Sequence, residues 1–550
     1  MKLKKVLGAG LVIAASAFLL AACGSNSSSS SSSSASNSKT FTRMEGDTIQ
    51  TMDPSTNTDA ISGQALIDTM DGFYRYNGKK LQPAIATSVA EPTNDGKTYT
   101  IKLRKDAKWA NGDPVTAKDF VYGWRRTVDP KTASQYAYLY NQVENAQDIQ
   151  SGKKSPDTLG IKALDDHTVE ITLSEAVPYF NGLMTNPAFF PQNQKFVEKM
   201  GKKYGTSAKY ALSNGPFILK GWTGTNNSWT ESKNKDYWNA KAVKLNAVKV
   251  QVVKDPSTSL NLYQSGKLND AILSGENAQQ MKNDPAFTPR KQSSVFFVEM
   301  NQKTIPAFKN EKIRQAISMS INRKELVNKV LGNGSLAADN VTPQGLMDDP
   351  TTGKDFAKEA ASKDSQYTTY NPKKAKQLFK EGLQEVGAKN VNVTLLGDDT
   401  DNAKKMNEYL QSTWQDNLPG LKVTLQNVPF KTRLTRSQNG QFDMVVSAWG
   451  ADYPDPISFL DLFTTDNSYN NGKWSNSQYD QLVQDSKTTD VLNKEKRWDD
   501  LMQAQNIITE QQGVVPLYQR VEAHLVNKKV KNLQYSPANN YNFVTTYIKN

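Results

Sequence analysis

Within residues 98–103, Tyr99, Ile101 and Leu103 alternate with polar residues, and within 168–173 Val169, Ile171 and Leu173 repeat the pattern. A period of two turns one face of an extended chain to a core and the other to solvent, so both stretches are predicted as half-buried strands. Across 311–331 the spacing changes to three and four, and Ile313, Ala316, Ile317, Ile321, Leu326, Val327 and Val330 make one stripe on a predicted helix. Asn371-Pro372 opens another helix, with proline at a position whose N–H has no helical partner and Ala375, Leu378 and Phe379 on the apolar side. A strand over 391–396, a helix over 403–417 carrying Met406, Tyr409, Leu410 and Trp414, and a strand over 421–428 then form a strand-helix-strand unit. Extended and helical stretches alternate throughout without a short repeat, which predicts mixed α/β architecture.

The first forty residues follow another logic. Lys2, Lys4 and Lys5 precede an apolar run from Val6 to Leu20, and small residues lead to Cys23. Basic, apolar and small zones in that order predict a secretory signal peptide over 1–22. The run is too short and too rich in glycine and alanine for a lasting membrane span. Leu20-Ala21-Ala22-Cys23 resembles a bacterial lipobox, which implies cleavage before Cys23, a diacylglycerol on its thiol and an anchor at the outer face of a cell membrane. Residues 25–38 are serine at eleven of fourteen positions and bury nothing, so 23–39 is expected to be a tether with a span of about 20 Å.

Cys23 is the only cysteine, so no disulfide supports the remainder, which is long enough for two or three domains. The formal charge of +12 falls to +9 once the three lysines of residues 1–22 are set aside. Its cations are interspersed with acids rather than gathered in a tract, which argues against a nucleic-acid partner.

Three segments carry a family resemblance: Trp109 through Arg126, Ser213 through Trp222 with Tyr237-Trp238-Asn239, and Trp449-Gly450-Ala451-Asp452-Tyr453-Pro454-Asp455-Pro456 after Phe442-Asp443. In order and spacing they resemble the peptide-binding proteins of bacterial ABC importers, extracellular solute-binding protein family 5. The resemblance implies a two-lobed periplasmic-binding-protein-like fold (type II, cluster C) that closes over its ligand. Carried onto this chain, lobe I takes 40–295 and 516–550 with an extra subdomain at about 60–185, and lobe II takes 296–515. The crossings between lobes are expected near Phe296-Phe297-Val298 and Val514-Val515-Pro516. The implied role is capture of oligopeptides and delivery to a permease, by a monomer without a cofactor.

Peptides of many sequences share only a backbone and two charged ends, so a broad receptor must bind those. The resemblance assigns the ammonium end to Asp452 and backbone pairing to Ala448, Trp449 and Gly450. Read without it, Asp452 is a turn aspartate between prolines, and Trp449 is as readily core as pocket wall. Tyr138, from the run Tyr136, Tyr138 and Tyr140, is a candidate peptide contact, and Arg436 is a candidate for the carboxylate end. Thr58 stands where some relatives carry glutamate, which puts that contact in doubt.

Catalysis has little to work with. His167 follows Asp165-Asp166 in a predicted turn, His524 lies in an apolar C-terminal strand, and both read as structural or exposed. There is no Gly-x-Ser-x-Gly elbow, phosphate loop or His-Glu-x-x-His helix, and no metal site is predicted. The open alternatives are a receptor for one signalling or cell-wall peptide, a surface adhesin or chaperone, and a glycosidase using two carboxylates.

Overall fold

The computed structural model describes residues 39–549 apart from 537 and 539; the signal peptide, Cys23 and the serine-rich stretch lie outside the described residues. The strand-helix-strand unit forms as its periodicity predicts. Val391–Asp398 pairs in parallel with Leu421–Val428, and the intervening Asp401–Asn417 helix buries Met406, Leu410 and Trp414. The strands Thr98–Lys102 and Thr168–Thr172 form where alternation predicts them, and they pair antiparallel.

The helix expected over 311–331 is broken. Glu311–Met319 is α-helical, Ser320 and Ile321 leave it, and Asn322 caps a fresh start at Arg323–Glu325 that widens into a π turn over Leu326–Leu331. The Asn322 side chain accepts from Glu325 N at 3.1 Å, which gives the backbone an alternative to a continuous ladder. Ile313, Ile317, Ile321 and Leu326 remain buried on both sides of the break. Apolar spacing reports burial, and an internal cap interrupts the helix without disturbing it.

An 11-stranded sheet organises the body. One end consists of Phe217–Lys220, Ser228–Lys233, Ala247–Val252, Thr40–Glu45 and Asp270–Leu273; the other consists of Leu421–Val428, Val391–Asp398 and Met444–Gly450. Between them lie two long antiparallel strands, Phe287–Met300 and Val515–Val526. Each serves both ends. Leu525 pairs with both Ala271 and Phe287, whereas Phe296 pairs with both Tyr518 and Ala448. Their mutual register shifts between Lys291 and Val295 and again between Phe296 and Phe297, so the sheet changes direction where it changes halves.

Two of the three family-like segments are architectural. Trp124, on the Ala117–Val128 helix, is fully buried edge-on against Tyr140, Phe180 and Phe189, and its Nε1 donates to Phe189 O at 2.9 Å. On the same helix Phe120 stacks on Phe73 at 3.9 Å. Asn214 and Asp71 exchange two hydrogen bonds of 3.0 Å, and Gly215 N donates to Thr69 O at 2.9 Å. A Cβ at Gly215 would lie 2.6 Å from Met70 N, so only glycine permits that approach.

Candidate functional site

The third segment reaches a cavity. Met444–Gly450 is buried from Met444 to Val446 and opens from Ser447 onward, where Ala448, Trp449 and Gly450 line a space of about 480 Å³. The chain after this strand is held on both sides. Ala451 N donates to Ser293 O at 2.8 Å, and Asp452 N donates to Ser458 Oγ at 2.9 Å. Asp455 Oδ1 accepts from Ile457 N at 3.0 Å and from buried Arg497 Nη2 at 2.8 Å. Tyr453 stacks on Tyr179 at 4.5 Å, nearly parallel. Two prolines and two aspartates thus build a rigid turn, and the same turn aims Asp452 into the cavity.

Asp452 Oδ1 accepts from Tyr136 Oη at 3.2 Å and Asn186 Nδ2 at 2.8 Å. Its Oδ2 is sealed from solvent without a hydrogen-bond partner of good geometry. Burial pushes this carboxyl up to about 7, against the opposing pull of Tyr136, Asn186 and the adjacent Trp449. Around it stand Tyr136, Tyr469 and Trp449, with ring centroids 4.6 to 6.1 Å apart. The group combines one incompletely satisfied carboxyl with several π faces, which suits a small cation.

Other acids line the space. Glu299, on Phe287–Met300, accepts from Asn471 Nδ2 and Gly472 N at 3.3 Å each, and burial raises it to about 7. Asp59 caps the Ala60–Thr69 helix through Ser62 N at 2.8 Å and is raised by burial to about 6. The cations of the wall are Arg43, Arg433 and Arg520.

Of the residues expected at a site, Ala448, Trp449, Gly450 and Asp452 share this cavity, and Thr58 joins them. Tyr138 stands behind Tyr136 at 6.3 Å and does not line it. Gln135–Tyr140 is a 3-10 helix, with three residues per turn, so Tyr136 and Tyr138 do not share a face and only Tyr136 reaches the cavity. Arg436 is also absent from the lining: on the Phe430–Gln438 helix its Nε donates to Gln441 O at 3.1 Å. A cation in the last turn of a helix finds carbonyls there, which is a local role. Asn186, Tyr469, Glu299, Arg433 and Arg520 carry no sequence signal, because each reaches the cavity from a distant part of the chain.

His167 sits in the turn before Thr168–Thr172, its N–H donating to Asp165 Oδ1 at 2.6 Å. His524 is buried, with Nδ1 2.6 Å from Asp270 Oδ1 and Nε2 3.1 Å from Glu522 Oε2. Among the described residues no cluster of three or more His, Cys, Asp or Glu is placed to hold a metal ion, and no helix is long and apolar enough to cross a membrane.

Residues 80–471 match the family model "Bacterial extracellular solute-binding proteins, family 5 Middle". The chain is 39% identical to the dipeptide-binding protein of Lactococcus lactis subsp. cremoris, with 100% of both chains covered. Its fold matches the structure of Listeria monocytogenes OppA bound to peptide with a TM-score of 0.89 and 42% identity, covering 94% of this chain and 100% of that one. The murein tripeptide-binding protein MppA of Escherichia coli matches with a TM-score of 0.83 and 29% identity, over 92% of this chain and 99% of that one. The unliganded open form of MppA matches at only 0.60, with 29% identity over 93% of this chain and 97% of that one. The two-lobed fold is therefore shared, and the arrangement of this chain is far from the open one.

Proposed function

The chain belongs to the bacterial extracellular solute-binding proteins of family 5, and from that premise we propose that it captures peptides between its lobes and delivers them to an ABC permease. The observation that carries this reading is the carboxyl of Asp452: it faces the cavity from a rigid turn and leaves one oxygen without a hydrogen bond of good geometry. A peptide ammonium supplies the charge-assisted donor that this oxygen lacks, in a space where water competes little. The open edge of the chain at Ala448, Trp449 and Gly450 gives the peptide backbone a strand to pair with, independent of its side chains.

Lobe I is assigned to 40–295 and 516–550, with the extra subdomain at about 60–185, and lobe II to 296–515. The two long central strands support crossings near 296–298 and 514–516. Closure is favoured by contacts that exist only between lobes, since these alone distinguish the two states. The protein acts as a monomer, without catalysis of its own, on the outer face of a cell membrane where Cys23 carries the lipid. Broad peptide capture is preferred to a single signalling ligand because the recognition described uses groups common to all peptides.

Mass spectrometry of the purified body, native and then denatured, tests this directly. A ladder of short peptides released on denaturation is the expected result. A single mass replaces broad capture with a dedicated receptor, and a protein that neither carries nor binds any peptide overturns the reading.

A further inference from the structure

Along the sequence the lysines are interspersed with acids, but the fold gathers many of them at one end of the sheet. Thr40–Glu45 runs parallel to Ala247–Val252 and Asp270–Leu273, and antiparallel neighbours follow outside these, Ser228–Lys233 on one side and Val515–Val526 on the other. Parallel strands that start together, beside antiparallel ones that finish there, bring Lys39, Lys235, Lys244, Lys267, Lys528 and Lys529 to a common end. Backbone hydrogen bonds tie that end together. Asn246 N donates to Lys39 O at 2.7 Å, Asn527 N to Asn269 O at 2.8 Å, Val526 N to Ala286 O at 3.0 Å and Lys549 N to Lys529 O at 2.8 Å. Five neighbouring strands make it about 19 Å across.

With Lys39, the segments 233–246, 264–269, 282–286, 526–532 and 547–549 that meet there hold eleven lysines against two acids, Asp236 and Asp284. That is a formal +9, the whole excess of the chain beyond residue 22, so the remainder is balanced. Ten of the eleven lysines are exposed, and the other, Lys233, turns its amine to Val243 O at 2.6 Å. Among the described residues, the lysines engaged in ion pairs are all different ones.

The chain enters this body at Lys39, immediately after the serine-rich residues that read as a tether with a span of about 20 Å. Free lysines attract an anionic surface only within about a Debye length, or about 8 Å at physiological salt. A tether rooted among them holds these lysines nearer to the surface that carries Cys23 than any other face of the body. The opposite end of Thr40–Glu45 is the cavity, where Glu45 and Asp47 stand in the wall, about 20 Å away along the strand.

We propose that the lysine-covered end is a membrane-contact face: it settles on anionic phospholipid of the bilayer that holds Cys23, and the body rests there with its cavity turned away from the bilayer. The inference rests on the lipid at Cys23 and adds to it a face and an orientation.

Amine labelling of the full lipidated chain, read lysine by lysine by mass spectrometry, tests it on preformed vesicles of phosphatidylcholine alone or of equal parts phosphatidylcholine and phosphatidylglycerol. On the anionic vesicles Lys241, Lys267, Lys528 and Lys529 are expected to react about fivefold more slowly, an effect that fades near about 1 M salt. Lys373 and Lys422, exposed on the Pro372–Glu385 helix and the Leu421–Val428 strand, should react at one rate on both. Lys528→Gln, Lys529→Gln and Lys531→Gln together should restore fast labelling at Lys241 and Lys267. Equal labelling on the two kinds of vesicle overturns the proposal while leaving the anchor intact, and requires no variant to fold. Slowing that reaches Lys373 and Lys422 alike also overturns it, as does protection by soluble poly(glycerol phosphate) on neutral vesicles that the anionic bilayer fails to give. Protein that floats with neither kind of vesicle instead overturns the anchor reading, and this face with it.

Discussion

Lys254 Nζ lies 2.6 Å from Asp399 Oδ1 and 3.4 Å from Asp47 Oδ2. One ammonium thereby joins the segment after Ala247–Val252 to the turn after Val391–Asp398, across the cleft between the two ends of the sheet. Asp47 and Asp398 both line the cavity, so the bridge stands at its edge. All three groups keep some solvent contact, which limits the bridge to about 0.2–1 kcal/mol. Lys254→Met is expected to speed peptide dissociation by up to about fivefold, with the difference fading near 1 M salt. Stopped-flow displacement across a salt series checks this; equal dissociation rates at low salt would show that the bridge does not favour closure.

Asp452→Asn keeps the shape of the side chain and removes its charge. A charge-assisted hydrogen bond contributes about 1.5–3 kcal/mol, so peptides with a free amino terminus are expected to lose about 10- to 100-fold in affinity. Amino-acetylated peptides should change little. Parallel titrations decide the matter, and an equal loss in both series would sink the ammonium role.

The raised pKa of Asp452 gives a signed pH dependence. The folded protein keeps a proton here that an unfolded chain releases above about 4, so this carboxyl lowers stability progressively as pH rises from about 4 to about 7. Asp452→Asn should therefore raise the melting temperature of the empty protein at pH 8 and leave it almost unchanged at pH 4. Peptide binding needs the ionised form, so affinity should climb from pH 5 toward 7 with release of a proton. Titrations in two buffers of different ionisation enthalpy measure that release, and Asp452→Asn should remove the part not due to Glu299 and Asp59.

Asp455, three residues away, is expected to behave in the opposite way. Its removal leaves Arg497 buried without its counter-charge, a loss of about 3–5 kcal/mol. Chemical denaturation of Asp455→Ala should show this, while any variant that still folds should keep its preference for free amino termini.

Cys23→Ala should release the protein from membranes into the medium with its binding intact. Fractionation of cells carrying the variant checks the anchor, and retention in the membrane fraction would show that something else holds it.

The sequence announced most of the fold because its signals were local. Alternation at Tyr99, Ile101 and Leu103 and the helix start at Asn371-Pro372 act within a few residues of themselves. It announced half of the site for the same reason: Asp452 sits in a turn whose prolines and aspartates are contiguous. The donors to Asp452 lie 316 and 266 residues earlier, and nothing about Tyr136 or Asn186 in isolation marks them. Arg520 was hidden differently, because its exposure belongs to a cavity wall that exists only once distant segments have met. Arg436 was attractive by position along the chain, yet a helix end consumed it.

Tyr136 and Asn186 also satisfy part of Asp452 when nothing else does. Two neutral donors make a poorer match for a carboxylate than one cation, yet any cation that comes to Asp452 has to outdo hydrogen bonds the carboxyl already holds. What a titration reads at this residue is therefore a difference between two sets of partners, and a substitution at Tyr136 or Asn186 shifts that difference without touching the newcomer.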